Sequence, residues 1–173
     1  PKRAESPIVQ ETKALLTGGL KEKSPEELAQ LLGHADMRVR LQSQFALAKL
    51  GMKAMPMFQA AADQTENQFQ RLHGIWGLGQ VMRQTPVTSE FLDDFWEWFG
   101  VEDPTPETIL EAYLSDNDAE VRAQAAKTLG DLRAEGAGPA LTKLLKDKSL
   151  RVRSFAAIGV GRAGYKPAFP AIV

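Results

Sequence analysis

The chain contains no cysteine and only two histidines, His34 and His73, among its 173 residues. The lack of cysteine excludes disulfides, thiolate metal sites, a thiol nucleophile and covalent attachment of a c-type haem within these residues. Neither histidine comes with the local motif of a nucleophile–His–acid site. The sequence has no G-x-x-x-x-G-K-[ST] loop and no dinucleotide fingerprint that follows a strand. We therefore predict a chain that is not an enzyme and binds no cofactor or metal of its own.

Long apolar runs are also missing. No stretch approaches the roughly 20 residues that a membrane span needs, and no signal-peptide core is present. With 43% hydrophobic and 25% charged residues, the composition is that of a globular protein. The chain begins with Pro1 and ends inside the apolar pattern FPAIV. We therefore expect a piece of a longer protein, so that its localisation stays open.

Four segments of the chain resemble one another. They are DMRVRLQSQFALAKLG from Asp36, NQFQRLHGIWGLGQVM from Asn67, DAEVRAQAAKTLGDLR from Asp118 and SLRVRSFAAIGVGRAG from Ser149. Each starts with a preferred helix N-cap residue. Their arginines, Arg40, Arg71, Arg122 and Arg153, are spaced by 31, 51 and 31 residues. The longer middle gap indicates one repeat with an insertion of about 20 residues.

Each repeat continues into a second, shorter apolar helix, which is usually opened by a proline (Pro56, Pro139 or Pro170). SPEELAQLLG has the Ser24 and Glu27 spacing of a capping box. Helical hairpins of this kind bury their apolar faces by stacking on their neighbours. We predict an all-α fold, an α-solenoid of about four hairpins that forms a single domain over residues 1–173. The expected repeats are 36–66, 67–117 with an insertion at 85–105, 118–148 and 149–173.

The acidic and basic side chains at the repeat starts form a predicted structural ladder. Its members are Asp36, Arg40, Arg71, Asp118, Arg122 and Arg153. Asp36 with Arg40, and Asp118 with Arg122, stand four residues apart and can pair along a helix. The guanidinium groups can also satisfy carbonyls at helix ends.

The segment RLHGIWGLGQ suggests a phosphate-binding loop at first sight, but the repeat alignment favours a helix. Gly74, Gly77 and Gly79 fall in columns that are small in most of the repeats, where stacked helices can approach closely. Trp76 shares a column with Phe45 and Ile158, which predicts a core position. We expect His73 to be a partly exposed helix residue and His34, in the GHAD turn, to be exposed.

The insertion is acidic and aromatic. Between Gln84 and Val121 the chain has 11 of its 22 acidic residues and no Lys or Arg, so the remainder carries an excess of ten positive charges. SEFLDDFWEWFG predicts an amphipathic helix. Its face either packs on the solenoid or contacts a protein partner. The candidate contact residues are Asp93, Asp94, Trp96, Glu97, Trp98 and Phe99.

Two other binding functions are alternatives to protein contact. The basic excess outside the acidic window allows a concave face that binds nucleic acid, although the net charge of −1 and the lack of aromatic–basic interleaving argue against it. A calcium site among Asp93, Asp94, Glu97, Glu102 and Asp103 lacks the ligand spacing and the turn glycine of known loops. We therefore expect a protein partner, or flanking domains of the same chain.

The pattern D-x-x-V-R-x-x-A-A-x-x-L-G in DAEVRAQAAKTLG, with SLRVRSFAAIGVGRAG, resembles HEAT repeats, in particular the phycobilisome-lyase-like subclass. This resemblance covers about residues 24–173 and implies the solenoid fold. It is not specific for function, because many activities occur on such arrays.

The segments ETKALLTGGLKEKSPEELAQLLGHADMRVRLQSQFALAKLG, RLHGIWGLGQ and RVRSFAAIGVGRAG show a narrower resemblance. They look like the HEAT region of exported haem-binding proteins of planctomycetes and verrucomicrobia. In that family a sugar-dehydrogenase-like β-propeller precedes the repeats, and a cytochrome c domain with a CxxCH motif follows. The resemblance implies a periplasmic or exported scaffold between two redox domains, and no catalytic residue within this chain.

Overall fold

The structure is a computed structural model that describes residues 6–84 and 106–171. The chain divides into two compact units, Pro1–Gly77 and Leu78–Val173. In repeat proteins each hairpin contacts mainly its neighbours, so the boundary between such units need not separate independent domains. The single domain and its repeat limits stay predictions.

Helices make up the first unit. They are α1 (Pro7–Leu16), α2 (Pro25–Leu31), α3 (Met37–Ala48), α4 (Met55–Asp63) and α5 (Gln68–Gln84), which begins in this unit and ends in the second. Short 3-10 turns, Gly19–Glu22 and Gly51–Ala54, connect them. Helix α2 packs against both α3 and α4.

The second unit is also helical. It contains α6 (Pro106–Ala112), α7 (Ala119–Leu132), α8 (Gly138–Leu144) and α9 (Leu150–Ala163). The 3-10 turns are Tyr113–Ser115, Glu135–Ala137 and Lys166–Ala171. Helix α9 packs along α7 and α8. No strand occurs in residues 6–84 or 106–171, and the predicted fold class, an all-α solenoid of helical hairpins, is confirmed.

The helices begin where the sequence predicts. Ser24 Oγ accepts a hydrogen bond from the Glu27 amide (3.2 Å), and the Glu27 carboxylate accepts one from the Ser24 amide (2.8 Å), which confirms the capping box. Asp36 and Asp118 each accept a hydrogen bond from the amide two residues further on, at 2.8 Å. Pro139 lies in the first turn of α8, where a missing amide proton costs nothing.

The core follows the columns of the repeat alignment. The position seven residues after each arginine is fully buried in all four repeats, as Leu47, Leu78, Leu129 and Val160. The small position three residues after the arginine is buried too, as Ser43, Gly74, Ala125 and Ala156. Periodic burial of this kind is what stacked amphipathic helices require.

Two glycines mark close contacts between helices. A Cβ on Gly74 of α5 would lie 2.5 Å from the Ala62 backbone nitrogen of α4, and one on Gly130 of α7 would lie 2.6 Å from Gly159 Cα of α9. The expectation that RLHGIWGLGQ is a packed helix is confirmed. Gly161 differs, because it is exposed and a Cβ there would meet no atom within 4 Å.

One predicted core column is wrong. Phe45 and Ile158 are 46% and 44% exposed, and Trp76 in the same column is half-buried. Apolar residues five positions after the arginine therefore point away from the core. Periodicity alone cannot separate such an outward apolar residue from an inward one at the edge of a helix face.

Candidate interaction surface

Three of the four ladder arginines bind main-chain carbonyls of the preceding turn. Arg40 Nη1 donates to the carbonyls of His34 (2.7 Å) and Ala35 (3.0 Å). Arg122 and Arg153 do the same with the carbonyls six and five residues before them, at 2.7–3.1 Å and 2.9–3.4 Å. These carbonyls lie in the turns that precede α3, α7 and α9, so the arginines stabilise those turns.

The fourth arginine makes a different contact. Arg71 Nε donates to the carbonyl of Ala62, nine residues earlier, at 3.0 Å. In the turn before α5, Gln64 Oε1 accepts from the Glu66 amide (3.3 Å), and Asn67 Oδ1 caps the helix by accepting from the Gln70 amide (3.2 Å).

In the second unit an ion pair links the first turn of α7 to the turn before α9. Arg122 donates to Asp147 through Nε (2.8 Å) and Nη2 (2.9 Å), and the two side chains are only 7% and 9% exposed. The Arg122 hydrogen bond lowers the pKa of Asp147, and Asp147 raises the pKa of Arg122. Because the contact is bidentate and both side chains are almost fully buried, this pair forms a rigid connection.

Two exposed ion pairs join the same helices. Glu120 contacts Arg151 at 2.6 Å, and Asp131 contacts Arg162. Each pair joins residues 31 positions apart, which is the repeat length. Residues of opposite charge that occupy the same column of the alignment therefore contact each other between α7 and α9. Such exposed pairs contribute little stability but fix the register.

In the first unit a histidine takes the place of the carboxylate. Arg40 Nε donates to His73 Nε2 (3.3 Å), His73 Nδ1 contacts Gln44 Oε1 (2.8 Å), and the guanidinium lies 4.2 Å from the centre of the Phe69 ring. Burial, together with the charge of Arg40, lowers the pKa of His73 to about 4. The neutral ring therefore accepts from Arg40 and donates to Gln44, and both nitrogens serve the scaffold.

Two expectations at these positions are wrong. His73 is 3% exposed, because its ring fills the space beside Arg40 between α3 and α5. The Asp36 carboxylate does not bind Arg40 but contacts Arg38 at 2.8 Å, and this contact holds its pKa far below the usual range. The backbone turn at the start of α3 brings Arg38 to the capping carboxylate, whereas Arg40 points inward.

His34 also differs from its expected exposed position. Its side chain is 6% exposed, and Nδ1 accepts a hydrogen bond from the Asp36 amide at 2.9 Å. Asp116 and Asp147, two residues before the next N-caps, accept the equivalent bonds at 2.8 and 2.7 Å. Sequence reasoning missed this column, although the alignment contains it two positions before the N-caps.

An exposed apolar face runs along α3. Met37, Leu41 and Phe45 are 64%, 40% and 46% exposed. Residues four apart in a helix lie on one face, so these three side chains form a continuous stripe. We refer to Met37, Leu41 and Phe45 as the α3 stripe.

A groove of about 450 Å³ borders the stripe at Phe45. Its walls include apolar Leu20 and Leu28, and its charged lining residues are Lys21, Lys23 and Lys49. Glu27 pairs with Lys23 at 2.7 Å, so the positive charge of the groove comes mainly from Lys21 and Lys49. An apolar surface with a positive rim results.

The candidate contact residues of the insertion, Asp93 to Phe99, lie outside the described residues, as do the residues considered for calcium. Within 6–84 and 106–171, no three His, Asp or Glu residues are grouped closely enough to hold a metal ion. None of the described helices is long and apolar enough to cross a membrane.

The packing of helical hairpins defines a repeat protein of the all-α class. The family profile described as HEAT repeats matches residues 106–173, so this part of the chain carries the HEAT signature. No curated protein matches the chain.

Solved structures give a likeness of fold. The chain is similar to an engineered protein whose crystal structure was determined by the Northeast Structural Genomics Consortium. The identity is 17%, the TM-score is 0.50, and the match covers 87% of this chain and 67% of the other. At this identity the likeness concerns the fold alone.

Proposed function

We propose that this chain is a non-catalytic scaffold that binds a protein partner, or flanking domains of its own polypeptide. HEAT-type arrays generally present extended surfaces for protein contacts. The observation that carries the proposal is the α3 stripe, three neighbouring apolar side chains that remain exposed on one face of the helix. Contiguous apolar surface of this kind marks contact sites more often than isolated exposed residues do.

The groove beside the stripe favours one kind of partner. Lys21 and Lys49 lie at the edge of an apolar surface that includes Phe45. Acidic groups of a partner would be attracted to the lysines, and apolar groups of the same segment would cover Phe45 and Leu41. The partner we propose is therefore an acidic segment that carries apolar side chains.

The chain acts by holding its contact surfaces in a fixed geometry. The Arg122–Asp147 pair and the chain from Arg40 through His73 to Gln44 connect neighbouring helices within each unit through buried polar contacts. Their geometry holds each surface in one shape, so that binding does not require the surface to become ordered first. A scaffold needs this property more than it needs reactive groups.

A narrower proposal concerns the parent protein. The resemblance to exported haem-binding proteins supports a periplasmic or exported location, between an oxidising β-propeller and a cytochrome c domain. The haem and the catalytic residues would then belong to those flanking domains. The natural reading frame tests this proposal, which fails if no propeller and no CxxCH motif is encoded beside these residues.

The acidic insertion is proposed as a second contact region. Aromatic residues concentrate binding energy at interfaces, and the acids beside Trp98 would steer a basic partner. The test is a Trp98→Ala, Asp93→Asn, Asp94→Asn variant. If it folds normally and every interaction of the parent protein persists, this part of the proposal fails.

The alternative function is nucleic-acid binding, and the lysines of the groove are the observation that favours it. Fluorescence anisotropy with a duplex DNA at several salt concentrations separates the two functions. A scaffold shows no binding at micromolar protein and physiological salt. Micromolar affinity with a steep negative salt slope would establish the alternative.

The direct test of the scaffold uses the natural full-length protein. We expect a Leu41→Asp, Phe45→Asp variant to keep its helical circular dichroism, since both residues are exposed, and to lose lysine cross-links from Lys21 and Lys49 to a partner or flanking domain. Leu150→Asp is the matched control, because Leu150 is 72% exposed elsewhere in the chain. The proposal fails if the cross-links are the same in all three proteins.

A further inference from the structure

His34 has one ring nitrogen that the fold does not use. Nδ1 accepts a hydrogen bond from the amide of the N-cap residue Asp36. At the equivalent positions, one carboxylate oxygen of Asp116 and of Asp147 accepts the same bond from the amide of the next N-cap residue. A histidine at this position therefore adds a group beyond what the turn requires. That group is Nε2, which is buried without a hydrogen-bond partner in the described part of the chain.

His34 is one of the residues that line a pocket of about 300 Å³ in the first unit. The pocket is lined by His34 together with Glu11 and Leu15 of α1, Lys23, and Gln30 and Leu31 of α2. The nearest acidic atom to His34 Nε2 is Glu11 Oε2 at 4.0 Å, and the Glu11 side chain is 56% exposed. A buried side chain with an unused ring nitrogen and a half-exposed carboxylate therefore line the same pocket.

The tautomer of the His34 ring indicates which ligand group this site can bind. Because Nδ1 accepts from an amide, the neutral ring carries its proton on Nε2, which is a donor. Glu11 supplies an acceptor. A single hydroxyl oxygen, about 2.8 Å from each atom, spans the gap of 4.0 Å when the two contacts meet at about 90°. A hydroxyl can accept from the histidine and donate to the carboxylate at the same time.

Charged ligands fit less well. An anion would be repelled by Glu11, and a cation would face the Nε2–H group of His34. Glu27, which also lines the pocket, is already paired with Lys23 at 2.7 Å. No group of three His, Asp or Glu side chains that could hold a metal occurs in the residues described. A neutral ligand remains.

We propose that the pocket between His34 and Glu11 binds a small neutral polyhydroxy compound, a polyol or a sugar. Its volume is at the lower end of small-molecule sites, about 300 Å³, and is about ten times the volume of one water molecule. Leu15 and Leu31 provide apolar walls for C–H groups, and the amide of Gln30 provides a further donor and acceptor. The proposal is independent of the scaffold function.

The test measures saturation-transfer NMR of sorbitol and of glucose with the 173-residue chain, with acetate and ethylammonium as charged probes. We expect transfer to the two neutral probes, and a shift of the His34 Nε2 resonance when they bind. His34→Asn keeps an oxygen for the Asp36 amide and removes Nε2–H. It should weaken binding at least about tenfold, the effect of one lost buried hydrogen bond.

A second pair of variants makes the result independent of the histidine. Glu11→Gln should also weaken sorbitol binding, while Glu22→Gln, an equal change of charge at an exposed residue outside the pocket, should leave it unchanged. If His34→Asn does not fold, this comparison decides. The proposal is overturned by no transfer from either neutral probe, by stronger binding of acetate or ethylammonium, or by equal affinity in all variants that fold.

Discussion

Removing one charge from the Arg122–Asp147 pair provides the strongest test of the packing. In an Asp147→Asn variant, the amide oxygen can still accept from the Ser149 amide, which lies 2.7 Å from Asp147 Oδ1. It cannot reproduce both bonds to Arg122, at 2.8 and 2.9 Å. The result is a buried guanidinium without its counter-charge.

The magnitude follows from burial. Breaking a buried ion pair by removing one partner costs about 3–5 kcal/mol, and the retained hydrogen bonds reduce this to about 2–3 kcal/mol. The matched control is Asp131→Asn, because both of its partners, Lys127 and Arg162, are exposed (42% and 52%). An exposed pair contributes about 0.5 kcal/mol. The free energy of unfolding in urea at pH 7 measures both values.

The same pair predicts a pH dependence. Because the folded-state pKa of Asp147 lies below its unfolded value near 3.8, its stabilisation is fully present above that value and is lost as pH falls through the folded pKa. The difference between wild type and Asp147→Asn should therefore shrink in acid. An Asp147→Asn cost no larger than that of Asp131→Asn, or a difference that does not change down to pH 2, refutes the reasoning.

Three further predictions concern stability. His73 has a folded pKa of about 4, below its unfolded value of 6.5, so stability should fall as pH drops from about 6.5 to 4, and this slope should disappear in His73→Gln when followed by thermal unfolding. Gly74→Ala should lower the free energy of unfolding in urea by about 1–3 kcal/mol, because its Cβ would meet the Ala62 backbone. Gly161→Ala should raise it by up to about 1 kcal/mol, because a Cβ there meets no atom. Equal effects of the two variants would show that α4 and α5 are not packed as described. Ser24→Ala should cost about 1 kcal/mol through loss of the capping box, measured in the same way, and no change would contradict that cap.

The repeat alignment predicts the fold because each column has one physical role. The position of Leu47 is apolar in every repeat and buried in every repeat. Asp36 and Asp118 combine a capping side chain with an arginine four residues later, so helix starts can be placed to the residue. At these positions helix capping and core packing both favour the residue types that the sequence has, so the helix starts and the core columns can be predicted from it.

The alignment could not show which polar groups meet across repeats. His73 replaces a carboxylate as the partner of Arg40, and its burial follows from α5 lying beside α3, which no local pattern encodes. Likewise, Phe45 and Ile158 are apolar in a helical pattern but face outward. Burial at the edge of a helix face depends on the neighbouring element, so it has to be read from the packed structure.

The candidate sites divide in the same way. Composition identified the acidic insertion at 85–105 with its candidate contact residues Asp93 to Phe99, and that part of the chain stays a prediction. The α3 stripe and the pocket at His34 became visible only from exposure and from an unused hydrogen-bond donor. A sequence pattern that treats Met37 and Leu41 as ordinary helix residues cannot predict that they remain uncovered.

The central claim is that the α3 stripe is covered by a partner or by a flanking domain. Leu41→Cys and Leu150→Cys each place one new thiol in these 173 residues, which otherwise contain no cysteine, and its labelling rate can be followed by mass spectrometry of the peptide that carries it. The account predicts similar rates in the isolated chain, and labelling at position 41 at least about tenfold slower in the natural full-length protein with its partners, with position 150 unchanged. Equal labelling of position 41 in both would contradict it.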